Sequence, residues 1–220
     1  MKSITKLLIV SALITLSAGV NAQNFGLKAG LNFSNSYQKF KNTILSDDYK
    51  MNTGFMIGPV AEFEIIKYLS VETGLLLSVK GYSSNSNISI NEPEISSGDY
   101  NLSLYYLTIP VTAKANFSLG GLKAFVAFGP YFSYAVSGME KVDATLLGNT
   151  TTTESNEIWK TDDNPGYKRT DFGISFGPGI QINQIVVSAT YDYGLANVWE
   201  GNSDLLKANR NICLSVGYMF

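Results

Sequence analysis

Eight stretches of this chain alternate apolar residues with polar or small ones, and after Ala22 no apolar run approaches the length of a membrane helix. They fall at about 24–36, 52–65, 69–83, 102–117, 122–136, 169–182, 185–196 and 209–220. Successive side chains of a β-strand point to opposite faces, so period two makes each stretch a strand with one oily side. A spanning helix needs about 20 apolar residues in a row, whereas a tilted spanning strand needs only about 9–11. Each stretch is long enough for the second and none is built for the first.

The connections carry as much information as the strands. Segments 37–51, 84–101, 137–168 and 197–208 are long, and 66–68, 118–121 and 183–184 are tight, in strict alternation. A soluble sandwich has no use for that order. A transmembrane barrel has one, with short turns on one side of the membrane and long loops on the other. The expected fold is all-β: a closed antiparallel transmembrane barrel of eight strands, or ten if 137–168 hides two more around Ala144 to Thr153. A narrow solute porin would need the ten. A soluble lipocalin-like binder is the remaining alternative, and it requires the oily face to point inward.

The first 22 residues read as a cleaved signal peptide. Lys2 and Lys6 give a basic start, Leu7 to Leu16 a short apolar core, and Val20-Asn21-Ala22 small residues at a cleavage point before Gln23. Residues 23–220 are then one barrel domain, with a charge of −4. No basic patch points to nucleic acid. The lone Cys213 has no internal partner and reads as packing.

Parity assigns the faces. Phe25, Leu27, Ala29, Leu31 and Phe33 share one side of the first strand; Leu69, Val71, Leu75, Leu77 and Val79 share one side of the third. This oily face is expected to meet lipid. The opposite face collects charge: Lys28, Lys80, Lys114 and Lys123 against Glu62, Glu64, Glu72, Asp171 and Asp192. An eight-stranded barrel has an interior just wide enough for side chains, so these nine are expected to form a structural network that fills the lumen. Gly58-Pro59, Gly129-Pro130 and Gly177-Pro178 each put Gly inward and Pro outward, and are expected to be bulges or kinks. Aromatics gather at strand ends, with Tyr82, Tyr105, Tyr134, Tyr193 and Trp199 toward one rim and Phe25, Phe63, Tyr68, Phe117 and Phe220 toward the other, as interfacial girdles do.

The chain has no histidine. That removes the usual general base near neutral pH, and Ser or Thr without one is a poor nucleophile. We expect no enzyme, no catalytic residue and no cofactor. No Cys/His set suits zinc, and Asp162-Asp163-Asn164 lacks the spacing of a calcium loop. The four long connections carry a net −6, which reads as a solvated acidic surface.

The signal ending in Ala22-Gln23, the first strand Phe25-Gly26-Leu27-Lys28-Ala29-Gly30-Leu31-Asn32, the Tyr106-Leu107-Thr108-Ile109-Pro110 step, the Gly129-Pro130-Tyr131 step and terminal Phe220 together resemble the small outer-membrane β-barrel (porin-like, PorT-like) proteins of Bacteroidota. The resemblance spans essentially the whole mature chain. It implies an outer-membrane location, outer-membrane lipid as surroundings, and insertion by the barrel-assembly machinery with Val216, Tyr218 and Phe220 in the C-terminal signal. It also implies an export-related role as one alternative to a structural barrel that meets a protein partner through its loops.

Overall fold

The computed structural model describes residues 24–41, 43–44, 49–89, 95–146, 149–156, 158–159, 161, 166–201 and 204–220. The segment 1–22, expected to be a signal peptide, and the acidic run 162–164 lie outside these residues. Eight strands make the wall: β1 (Asn24–Phe40), β3 (Tyr49–Ile66), β4 (Leu69–Gly74) continued by β5 (Leu76–Ser89), β6 (Ile95–Leu119), β7 (Leu122–Leu146), β10 (Thr170–Ile182), β11 (Ile185–Gly194) and β13 (Leu205–Met219), while the short β2 (Thr43–Ile44) pairs only with the outer end of β1. Each pairs antiparallel with its neighbour, in the order β1-β3-β4/β5-β6-β7-β10-β11-β13. β13 then returns to β1, with Leu27 opposite Tyr218 and Phe33 opposite Ile212. The sheet is closed, so no wall edge is left unpaired in lipid, which is the condition for a sheet to cross a membrane.

The turns at Lys67-Tyr68, Gly120-Gly121 and Asn183-Gln184 are as tight as expected. Gly120 and Asn183 adopt positive φ, 67° and 53°, a conformation that Gly and Asn accept at least cost. At the other end the strands run far past the expected limits. β6 and β7 are 25 residues each, more than twice what a bilayer needs. Ala144 to Thr153 does hold strand, but β8 (Asn149–Ser155) folds back on β7 beyond the barrel and never enters the ring. The wall therefore has eight strands.

Leu27, Leu31, Phe55, Ile57, Leu75, Phe128, Phe176, Leu214 and Tyr218 are all exposed on the outside. The lipocalin-like alternative needs these inside and is excluded. Val79 is buried, unlike its neighbours on the expected oily row. The β3–β5 pairing slips by one residue between Met51 and Met56, and Val79 lies beside that slip.

The Gly-Pro steps are not bulges. Pairing on one flank of each is interrupted for two residue pairs and resumes in the same register, so no residue is inserted. Proline has no N–H to give the strand across from it. The residues facing Pro59, Pro130 and Pro178 are Leu75, Val111 and Ala189. A Cβ built on Gly58, Gly129 or Gly177 would lie 2.1, 2.0 or 1.9 Å from the carbonyl oxygen of that facing residue. Each step thus lets a neighbouring carbonyl press against a bare Cα. The interruption at Pro59 also explains why β4 and β5 are separate: Leu75 between them still donates to the Pro59 carbonyl at 3.1 Å, but receives nothing back.

Candidate functional site

The lumen is filled in layers. At the short-turn end Val60, Leu76, Phe125, Val186 and Met219 pack into an apolar floor. Beside it, and reaching the same mouth at Lys123, lies the first charge cluster. Lys114 reaches Glu62 at 2.5 Å and Glu72 at 3.2 Å, Lys28 pairs with Glu72, and Lys123 approaches Glu62 at 3.5 Å. Ser70 donates to Glu62 at 2.6 Å and receives from Asn116 at 3.0 Å. Lys114 also lies 4.2 Å above the Phe125 ring. Its side chain is 1% exposed.

A second cluster lies farther toward the long loops. Lys80 is 3.3 Å from Asp192 and 4.3 Å above the Tyr131 ring. Asp171 accepts from Asn209 at 2.9 Å and from the Tyr131 hydroxyl at 3.3 Å. Asn211 bridges Asp192 and Asn32, and Asn32 donates on to Ser78 and the Val79 carbonyl. Between the two clusters remains a cavity of about 60 Å³, bordered by Lys28, Glu72, Lys80, Lys114, Asp192 and Cys213. That is room for a few waters and no more.

The far mouth is closed by an aromatic cap. Tyr82, Leu102, Leu104, Tyr106, Ile158, Tyr167 and Val198 form one buried cluster. β9 (Gly166–Tyr167) and β12 (Trp199–Glu200) pair over it. Lys207 lies 4.3 Å over the Trp199 ring and donates to the Tyr167 hydroxyl at 3.2 Å. Tyr82 and Tyr167 share a hydroxyl hydrogen bond of 2.8 Å. Arg169 stacks 4.2 Å over Trp159. Tyr82 and Trp199 are thus not rim residues, as the sequence suggests; they point into the mouth.

The sequence matches the outer membrane protein beta-barrel domain family over residues 21–200. The chain belongs to that family. Solved structures similar to it include three at low identity and with TM-scores under 0.5. Neisserial surface protein A is 14% identical, over 92% of this chain and 99% of that one, with a TM-score of 0.43. The outer membrane protein OprG of Pseudomonas aeruginosa is 10% identical over 92% and 98%, with a TM-score of 0.41. The attachment invasion locus protein Ail of Yersinia pestis, solved with the heparin analogue sucrose octasulfate, is 17% identical over 90% and 98%, with a TM-score of 0.34. No curated protein matches by sequence.

In an outer-membrane barrel the tight turns face the periplasm and the long loops the outside. The apolar floor is then periplasmic and the aromatic cap external. Eight of the nine expected lumen charges lie along this axis: Lys28, Glu62, Glu72, Lys80, Lys114, Lys123, Asp171 and Asp192. Lys123, at 31% side-chain exposure, sits at the periplasmic mouth. Glu64 does not belong. It is exposed although still paired in register with the buried Ser70, because it is the last member of its row before the short turn. Its removal leaves four cations facing four carboxylates. Asn32, Asn209, Asn211 and Tyr131 complete the network; their parity marks them as inward, yet charge alone does not select them. Val216, Tyr218 and Phe220 lie on the outer surface, Phe220 at 72% exposure. Among the described residues no group of three His, Cys, Asp or Glu could hold a metal ion.

The cap has a pH signature. Tyr100 and Tyr167 lie above the membrane span, and burial, aided by Tyr82, pushes both phenols above their ordinary value. A phenol whose pKa is raised by folding contributes stability that is fully present below its unfolded value of about 10 and is lost as pH rises through the folded value. Alkaline titration followed by tyrosinate absorbance is expected to show a late phase, smaller in Tyr167→Phe. If Tyr167→Phe titrates like the parent, the cap is open to water.

Proposed function

We propose that this protein is a non-conducting outer-membrane barrel that acts through its external strands and cap. The observation that carries the reading is the lumen: apolar floor, two ion-pair clusters and aromatic cap fill it, and the cavity between the two clusters measures about 60 Å³. Every lumen carboxylate of those clusters has a cationic or hydrogen-bonding neighbour. Moving a hydrated solute through would separate them in a low-dielectric interior, at several kcal/mol per ion. The outer ends of β5, β6 and β7, with β8 folded onto β7, support an interaction role, since they rise well past the bilayer. Among the described residues, no lumen side chains form the base and nucleophile pair an enzyme needs. The motifs of the first strand and of the Tyr106–Pro110 step support a place among PorT-like barrels of Bacteroidota. The leader at 1–22 and the terminal Val216, Tyr218 and Phe220 support export followed by insertion through the barrel-assembly machinery.

Planar bilayers test the reading. The folded protein is expected to give no steady current above the bare membrane. Removing the upper plug with Lys80→Ala and Tyr131→Ala together is expected to produce brief, noisy openings. Large, steady currents from the parent protein would make it a narrow porin instead.

A further inference from the structure

The lipid-facing row of β13 reads Ile212, Leu214, Val216, Tyr218 from the middle of the membrane to the periplasm. Its next member outward is Arg210. A cation on that face is costly at the bilayer centre and nearly free at the interface. Arg210 sits at the interface, level with Tyr193 of the outer girdle, with which it is paired. On its other side it is paired with Asn35. Its guanidinium lies 3.7 Å from the Tyr193 ring and 5.3 Å from the Tyr37 ring. One terminal nitrogen, Nη1, donates to the Gly194 carbonyl at 2.7 Å and the Asn209 carbonyl at 2.9 Å. Those two bonds fix the group in place while its remaining N–H donors are not engaged by them. Among the described residues no carboxylate lies within 4.0 Å of it. Lys39 follows Tyr37 on the same outward row of β1 and adds a second cation farther out.

Below Arg210 is a groove of about 220 Å³ on the outer wall, lined by Phe33, Met51, Tyr191 and Ile212, with Asn35, Tyr37 and Arg210 toward its outer edge. Its lower part is oily and its upper edge is cationic. A free anion would use only the edge and an alkane only the floor. A lipid with a phosphorylated headgroup uses both.

We propose that Arg210 and Lys39 bind a headgroup phosphate of an outer-leaflet glycolipid, one of whose acyl chains lies along Phe33, Tyr191 and Ile212. The assignment rests on the barrel's orientation, with long loops outside, and not on whether the lumen conducts. A rigid guanidinium held by backbone carbonyls suits a phosphate's paired oxygens, and flanking tyrosines belong at headgroup depth.

Native mass spectrometry of the folded protein in detergent, with added lipid A or dephosphorylated lipid A, tests this. Parent protein is expected to retain lipid A. Arg210→Gln with Lys39→Gln is expected to lower retention at least about tenfold, as loss of a charge-assisted pair would. Lys39→Gln alone, which leaves the Arg210 hydrogen bonds intact, gives a smaller loss of the same sign and keeps the test readable if the double variant folds poorly. Dephosphorylated lipid A should bind the parent no better than the intact lipid binds the double variant. Equal retention of both lipids by the parent, or equal retention of lipid A by parent and variants, overturns the proposal. So does displacement of lipid A by inorganic phosphate alone, which would make the site one for free anions.

Discussion

Lys114→Met is expected to destabilise the folded barrel by about 3–5 kcal/mol, the range for breaking a buried ion pair by removing one partner. Lys114 is the shared cation of Glu62 and Glu72, which approach it from adjacent strands. Methionine keeps the stem's bulk over Phe125, so little of the loss would come from a void. What remains is two buried carboxylates facing one another. Lys28 and Lys123 still neighbour them, but Lys123 is the most exposed of the cluster and 3.5 Å away. Urea unfolding from lipid vesicles, read as loss of the compact gel band, measures the change. Adding Glu62→Gln should recover about 1–3 kcal/mol, because the second change removes the stranded charge. A cost under about 1 kcal/mol for Lys114→Met would mean the cluster is hydrated, in the range of exposed pairs. It would also remove the main reason for a closed lumen.

The same network shows what period two can and cannot reveal. Lys28, Glu72, Lys80, Lys114, Asp171 and Asp192 are legible because one charge in an otherwise regular row has only one place to point. Glu64 obeys the row in sequence and keeps its pairing with Ser70 in space, yet it is exposed, because parity does not say where the barrel ends and the mouth begins. The burial of Val79 is equally illegible, since it lies beside the Met51/Met56 slip of the neighbouring strand. Phe125, Val60 and Val186 are invisible for a different one. They are apolar residues at inward positions, and nothing local distinguishes a lumen plug from irregular patterning. Tyr82 and Trp199 look like girdle residues by distance along the strand. Outside the membrane, however, both the inner and outer faces of the sheet can bury an aromatic, and the folded-back segment around Ile158 and Tyr167 gives these two a dry partner. The long connections look like loops because Ser, Asn and Thr alternate with too few apolar residues to register; there the hydrogen-bonded ladder from β5 to β8 carries the strands without an oily face.

Gly58→Ala is expected to cost about 2–3 kcal/mol, near the upper end for forcing atoms into a packed site. The new methyl would lie 2.1 Å from the Leu75 carbonyl oxygen, with the Leu76 Cα at 2.9 Å. Both are backbone atoms, so no side chain can swing aside. The cause is the adjacent proline. Leu75 donates to Pro59, but Pro59 has no N–H to hold the Leu75 carbonyl in the ladder, and that oxygen presses over the preceding glycine instead. The pair should therefore be coupled. Pro59→Val restores a donor, draws the Leu75 carbonyl back into line and opens room beside residue 58. Gly58→Ala with Pro59→Val is expected to be at least about 1 kcal/mol more stable than the two separate costs predict. Gly129 with Pro130, and Gly177 with Pro178, present the same geometry at 2.0 and 1.9 Å and should show coupling of the same sign. Strict additivity at all three steps would mean that the prolines do not set the carbonyl positions, and that the glycines are there for the lumen side chains alone.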